Sequence, residues 1–115
     1  MMRGSMKTNP RDRLDKALRV GRHDEALRLY ALLQQREKND PRWPRRKGDL
    51  LQRMDRKPEA IEAYERAIEL YMAQGFVARA AAMAKVISNI DPSRIDVLER
   101  VRSEGHSSSV ACELS

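Results

Sequence analysis

Apolar and polar residues recur with a helical period along most of the chain, and the segment from Pro58 to Gln74 shows this most clearly. Its apolar residues lie three or four positions apart, which places them on one face of a helix. These residues are Ala60, Ile61, Tyr64, Ala67, Ile68 and Tyr71, and the other face carries Glu59, Glu62, Glu65, Arg66 and Glu69. The pattern predicts an amphipathic helix that begins at Pro58 and ends at Gly75.

Five further helices are predicted from the same periodicity and from the proline, glycine and capping residues at their ends. They start at Pro10, at about Asp24, near Pro44, at Phe76 and at the capping-box sequence beginning with Ser93. No segment alternates with the period of two that would predict a strand. The chain is therefore predicted to be all-α.

Two of the predicted helical pairs repeat at a fixed offset. The segment 21–33 aligns with 55–67, so that Glu25 matches Glu59, Ala26 matches Ala60, Leu27 matches Ile61 and Tyr30 matches Tyr64. Each pair is 34 positions apart, which is the length of a helix-turn-helix repeat unit. Such a unit cannot bury its apolar face alone, so the units are expected to stack.

Gly48, the run Glu59-Ala60-Ile61, Tyr64 and Ala67 resemble the small and large packing residues of the tetratricopeptide repeat family. The resemblance covers residues 7–104 and implies a right-handed α-α superhelix of about three helical hairpins. In the third hairpin the helix lengths persist without the signature residues. Residues 64–76 and 90–94 are also similar to N-terminal repeat blocks of larger bacterial multidomain proteins.

The ends of the chain differ in composition from its middle. Residues 1–6 resemble an expression leader, residues 7–104 form the predicted repeat domain, and the Ser-rich residues 105–115 are predicted to be a disordered tail. No apolar run approaches the ~18 residues of a membrane span, so membrane insertion is not expected. Cys112, the only cysteine, cannot form an internal disulfide, which favours a cytoplasmic location.

The net charge of +6 is distributed unevenly. Residues 1–57 carry 17 Lys and Arg against 8 Asp and Glu, whereas residues 58–115 carry 6 against 9. A basic half attracts acidic protein segments, nucleic acid or anionic lipid. A solvated basic face with no dedicated anion is an equally good interpretation.

The resemblance also implies a binding surface, because in this family the first helix of each hairpin lines a concave groove. The matching positions are Arg11, Asp15, Arg19, Arg45, Asp49, Arg53, Arg79, Met83 and Ile87, with Gln52 on the same face. Recurring arginines suit acidic side chains, phosphate or a C-terminal carboxylate, because a guanidinium donates two parallel hydrogen bonds. Alternatively, the Arg–Asp–Arg triplets form (i, i+4) surface pairs worth about 0.2–0.5 kcal/mol each.

The densest basic patch, residues 42–47, contains Trp43, the only tryptophan. An aromatic ring among cations can stack on nucleic-acid bases, but packing of Trp43 at the start of a helix is the favoured interpretation. The sequence contains no Gly-rich phosphate loop, no metal-ligand cluster and no nucleophile–base pair at a recognisable spacing. We therefore expect no catalysis, no cofactor and no metal.

These features predict a protein-interaction scaffold that binds an acidic or extended segment of another protein. A second hypothesis is self-association as a homodimer through an uncovered C-terminal helix. Its contact residues would be Ile95, Val97, Leu98 and Val101, of which Val97 is expected to face away from the core. Nucleic-acid binding is a weaker third hypothesis, distinguished by its steep dependence on salt.

Overall fold

The computed structural model describes residues 9–114, with side-chain surroundings for residues 9–104, so the predicted leader at 1–6 lies outside the described residues. Within this range the chain forms six α-helices, one short 3-10 helix and no strand. The α-helices are α1 (Pro10–Arg19), α2 (His23–Arg36), α3 (Arg42–Arg53), α4 (Lys57–Ala73), α5 (Val77–Ile90) and α6 (Ile95–Leu114). The 3-10 helix, Pro92–Arg94, precedes α6. For residues 9–114, the predicted all-α class and the six predicted helices are confirmed.

Three of the turns between helices close in the same way. A residue with left-handed φ is followed by an amide that donates to a carbonyl five positions earlier, which satisfies the end of the preceding helix. The left-handed residues are Gly21, Asp55 and Gly75, with φ of 77°, 59° and 82°. The hydrogen bonds run from Arg22 to Ala17 at 2.8 Å, from Arg56 to Leu51 at 2.9 Å and from Phe76 to Tyr71 at 2.8 Å.

The helix starts agree with the sequence signals at α1 and differ from them at α3 and α6. The Asn9 side chain accepts a hydrogen bond from the Asp12 amide at 3.0 Å, and Pro10 is the first helical residue. Helix α3 begins before Pro44, which is tolerated because the first four amides of a helix have no partner within it. Before α6 the cap is Asp91, whose carboxylate accepts from the Ser93 amide at 3.1 Å.

Each helix packs against its neighbour in sequence, from α1 on α2 through to α5 on α6. One apolar cluster joins the first three helices and a second joins the last three with part of α3. Between α3 and α4, Gly48 lies against the Tyr64 ring so closely that an added Cβ would be 2.8 Å from a ring carbon. Tyr64 and Ala60 have no exposed surface. Small residues therefore meet a large one where the sequence predicts it.

The third hairpin is displaced from a strict 34-residue repeat. In α3 the buried residues include Pro44, Gly48 and Leu51, and α5 buries Ala80, Ala84 and Ile87, each 36 positions later. In α6 the buried residues Val97, Leu98 and Val101 follow Ala60, Ile61 and Tyr64 of α4 at an offset of 37. Helix α4 has 17 residues and α2 has 14, so the buried positions of the third hairpin come later in the sequence than a 34-residue repeat would place them.

This displacement corrects the prediction for α6. Val97, expected on an outer face, is completely buried, and Leu98 and Val101 are buried with it in the core. Ile95, expected to point inward, is 50% exposed. The backbone is also helical to Leu114, where the sequence predicts a disordered tail from residue 105. Three of the four predicted self-association residues thus lie inside the chain's own core.

The register can be tested with a pair of substitutions in α5. We expect Ala84→Leu to lower the free energy of unfolding by about 1–3 kcal/mol, because completely buried Ala84 has no room for a larger side chain. The exposed Ala82→Leu variant should change it by less than about 0.5 kcal/mol. Urea unfolding followed by circular dichroism measures both. A 34-residue register would put Ala82 in the position of Gly48, so a larger loss for the Ala82 variant would contradict the observed packing.

Candidate functional site

The exposed side of α3 carries the largest group of predicted binding residues. Arg45, Asp49, Gln52 and Arg53 lie on successive turns of this helix and are all exposed. An open depression of about 410 Å³ is lined by the last three of them. Because the opposite side of α3 is buried in the core, these four residues, the α3 face, are held on one surface.

The Tyr64 hydroxyl reaches the α3 face from α4. It donates a hydrogen bond to Asp49 Oδ1 at 2.6 Å and lies 3.1 Å from Gln52 Oε1. Burial of the ring, and next the hydrogen bond to Asp49, raise the pKa of Tyr64 well above its ordinary value. The hydroxyl therefore stays protonated, and the packing of Tyr64 against Gly48 holds a fixed donor beside Asp49.

The (i, i+4) ion pairs considered as the alternative for this face do not form. Among the side chains of residues 9–104, Arg45 and Arg53 make no salt bridge, and neither does Arg19 in α1. Asp15 and Asp49 likewise pair with no arginine there. Since Asp49 is held by Tyr64, the flanking guanidinium groups keep their donors available to a ligand.

Tyr30 is the counterpart of this tyrosine in α2. It is 4% exposed. Burial raises the pKa of Tyr30, Arg46 and Arg53 lower it, and Asp49 and Asp15 raise it. Charged residues of both α1 and α3 therefore act on this hydroxyl.

Arg11 is engaged differently from the other predicted arginines. Its guanidinium donates to both carboxylate oxygens of Glu37, at 2.7 and 2.8 Å, and lies 5.3 Å from the centre of the Trp43 ring. Arg42 and Arg46 lie 5.2 and 5.6 Å from the centre of the same ring. Trp43 and these three arginines form what we call the tryptophan cluster. The sequence placed Arg42 and Arg46 in the basic patch 42–47 but did not reveal Glu37, because Arg11 of α1 meets Glu37 and Trp43 only in the folded chain.

Trp43 itself is part of the core. It is 3% exposed, and its ring centre lies 6.5 Å from that of Tyr30. The interpretation of Trp43 as a packing residue at a helix start is confirmed, because a buried ring cannot stack on a nucleic-acid base. The exposed part of the cluster is made of guanidinium groups.

Two carboxylates hold two of the three arginines. The hydrogen bond from Arg11 lowers the pKa of Glu37, and the hydrogen bonds from Arg42 lower the pKa of Asp40. The Trp43 indole N–H is buried and makes no hydrogen bond within the usual geometric limits, although it is near enough to Glu37 to add to the lowering of that pKa. Arg46 has no carboxylate partner among the side chains of residues 9–104.

The third hairpin does not continue the series of predicted groove residues. The guanidinium of Arg79 lies 5.0 Å from the centre of the Phe76 ring, and Met83 packs against the core in a partly buried position. Ile87, predicted to line the groove, is completely buried. The 34-residue offset that assigned these positions is wrong for α5, and the described contacts give neither Arg79 nor Met83 a place on the α3 face.

The fold and the site together define an all-α helical-hairpin protein with an exposed, arginine-rich helix face. No family model matches the chain, and no curated protein matches it either. Of the helices in the described range, none combines the length and apolar character needed to cross a lipid bilayer. The described residues also contain no group of three or more His, Cys, Asp or Glu placed to hold a metal ion.

Proposed function

We propose that the chain is a tetratricopeptide-like protein-interaction module that works in the cytoplasm and binds an acidic, extended segment of a partner along α1 and α3. The observation that carries this proposal is the exposure and the ion pairing of Arg45 and Arg53. Both are exposed and lack a carboxylate partner among the described side chains, although Asp49 lies one helical turn from each. Surface arginines on the same helix as an aspartate commonly pair with it.

The hydrogen bond from Tyr64 fixes the position of Asp49 between its two arginine neighbours. One Asp49 oxygen accepts from the buried hydroxyl at 2.6 Å, which holds the carboxylate toward α4. An arriving carboxylate can then accept two parallel hydrogen bonds from a guanidinium without displacing an internal partner. A hydrogen bond to a charged group contributes about 1.5–3 kcal/mol, so the loss of one arginine should weaken binding measurably.

The charge distribution supports an acidic ligand. Residues 1–57, which contain α1, α2 and α3, hold 17 of the 23 basic residues. The positive electrostatic potential of these residues increases the association rate of an acidic segment and weakens the binding of a basic one. The proposal is therefore confined to the first two hairpins, where the 34-residue register is kept.

A charge-reversal variant tests this function. We expect Arg45→Glu to weaken partner binding by more than about tenfold, because it removes a charge-assisted donor and adds a repulsive carboxylate. Partner captured from native lysate, identified and then titrated by calorimetry gives the measurement. Arg28→Glu is the matched control, since Arg28 is an exposed arginine of α2 that lines a different surface depression beside Met54.

The two variants carry the same net charge, so their comparison separates a specific contact from a general field. Equal weakening by both would mean that only the overall charge matters. Unchanged affinity in the Arg45 variant would refute the site. If the captured ligand is a nucleic acid, the binding constant should fall steeply with salt as counterions are released, and the proposal of a protein ligand would be wrong.

A further inference from the structure

The three arginines of the tryptophan cluster have two carboxylate partners among the described side chains. Arg11 is paired with Glu37, and Arg42 is paired with Asp40. Arg46, the third arginine on the Trp43 ring, has no such partner among the described side chains. The three guanidinium carbons all lie within 5.6 Å of one ring centre, and Arg46 is the one of the three without a salt bridge among the described side chains.

The contact with Trp43 positions Arg46 for an anion. The guanidinium carbon lies 5.6 Å from the ring centre, within the range of a cation–π contact, and such a contact leaves the N–H donors free while it restricts the rotamers of the side chain before binding. Trp43 is itself fixed, since it is buried against Tyr30. Arg46 follows Arg45 of the α3 face directly in the sequence of α3, and it also lowers the pKa of the Tyr30 hydroxyl.

We propose that Arg46, in cation–π contact with Trp43, receives a carboxylate of the acidic segment and so completes the charge balance of the tryptophan cluster. This inference rests on the proposed function and adds a contact that the sequence does not assign. The ligand would lie along α3, with one acidic group at Arg46 and others at Arg45 and Arg53. Arg11 and Arg42 remain paired with their internal carboxylates and hold Trp43 in place.

Tryptophan fluorescence can report on this contact, because Trp43 is the only tryptophan in the chain. A capped hexaglutamate peptide is the probe, titrated against the full chain with tryptophan emission and calorimetry recorded in parallel. We expect a saturable change of emission in the parent protein. Arg46→Gln should weaken the affinity by about tenfold and remove most of the emission change, as expected for loss of one charge-assisted contact.

Two further variants keep the result interpretable. Arg28→Gln loses the same charge on α2, away from the cluster, and should titrate like the parent. Arg46→Lys keeps the charge without the planar fork and should recover only part of the affinity. Because Arg46 is exposed, all variants should melt at the parent temperature, which confirms that a loss of binding is not a loss of fold.

The outcomes separate this inference from the proposed function. Calorimetric binding that is unaffected by Arg46→Gln, with no change in emission, would overturn the role of Arg46 and leave the α3 face as the site. An equal emission change with inorganic phosphate at the same concentration would show a general oxyanion site and overturn the assignment to a protein carboxylate. No binding of hexaglutamate by either method would count against both proposals.

Discussion

Replacing Tyr64 by alanine is expected to lower the free energy of unfolding by about 3–5 kcal/mol, the usual cost of removing a buried aromatic side chain. The ring has no exposed surface and fills the space between α3 and α4. A domain of this size has only about 5–15 kcal/mol of stability in total, so the variant should lose a large share of it. Urea unfolding followed by circular dichroism gives the value. Tyr64→Phe, which keeps the ring and loses the bond to the Asp49 carboxylate, should lose less, about 1.5–3 kcal/mol.

A second substitution shows whether the loss arises at the contact with Gly48. In the parent protein, Gly48→Ala places a methyl group 2.8–3.0 Å from three atoms of the Tyr64 ring, and overpacking costs about 1–3 kcal/mol. This opposes the gain of about 1 kcal/mol from replacing glycine in a helix. In the Tyr64→Ala background the clash is gone, so the same change should be stabilising. A Gly48→Ala effect of the same sign and size in both backgrounds would mean that the two residues do not touch.

The first two hairpins were predictable because their information is local and repeated. Small residues at 26 and 60 and tyrosines at 30 and 64 fix both the helix faces and the stacking interval. Glycine and proline signals gave most of the helix ends. Asp55 is the exception among the turns, since a left-handed φ at a non-glycine residue is not signalled by composition.

The third hairpin was less predictable because its register depends on the length of α4 and not on any residue within it. Once α4 exceeds α2 by a few residues, a fixed offset assigns the wrong face of α5, which is how Ile87 came to be predicted in the groove. The alanine-rich composition of α5 gave no correction, because alanine fits both buried and exposed positions. Only the packed structure distinguishes Ala84 from Ala82.

The sequence predicted which residues share the exposed side of α3, but it did not predict which partners their charged groups have. Spacing placed Arg45, Asp49 and Arg53 on one side of α3, but two pairing schemes suited that spacing equally well. The choice between them was made by Tyr64, which approaches from another helix and takes Asp49 as its acceptor. In the same way, Arg11 was assigned to the row, yet Glu37, 26 positions later, holds it.

The second large effect is expected at the C-terminal end of the stack. Val97→Asp should lower the free energy of unfolding by about 3–5 kcal/mol, since it places an unpaired carboxylate in an apolar core. Val97 is completely buried and lies in the cluster formed with α4 and α5. Thermal melts, with size-exclusion chromatography and light scattering on the same samples, report both fold and oligomeric state.

Ile95→Asp is the matched control, because it makes a comparable change at a position that is 50% exposed. Ile95 is the first residue of α6, where a carboxylate is favoured by the helix dipole. This variant should therefore keep the parent stability within about 0.5 kcal/mol. If Val97 instead formed a contact between two copies of the chain, Val97→Asp would leave the melting temperature of the separated chain unchanged and shift the light-scattering mass from dimer to monomer. A fall in stability for Val97→Asp alone, without such a shift, would establish that α6 closes the stack with its own core.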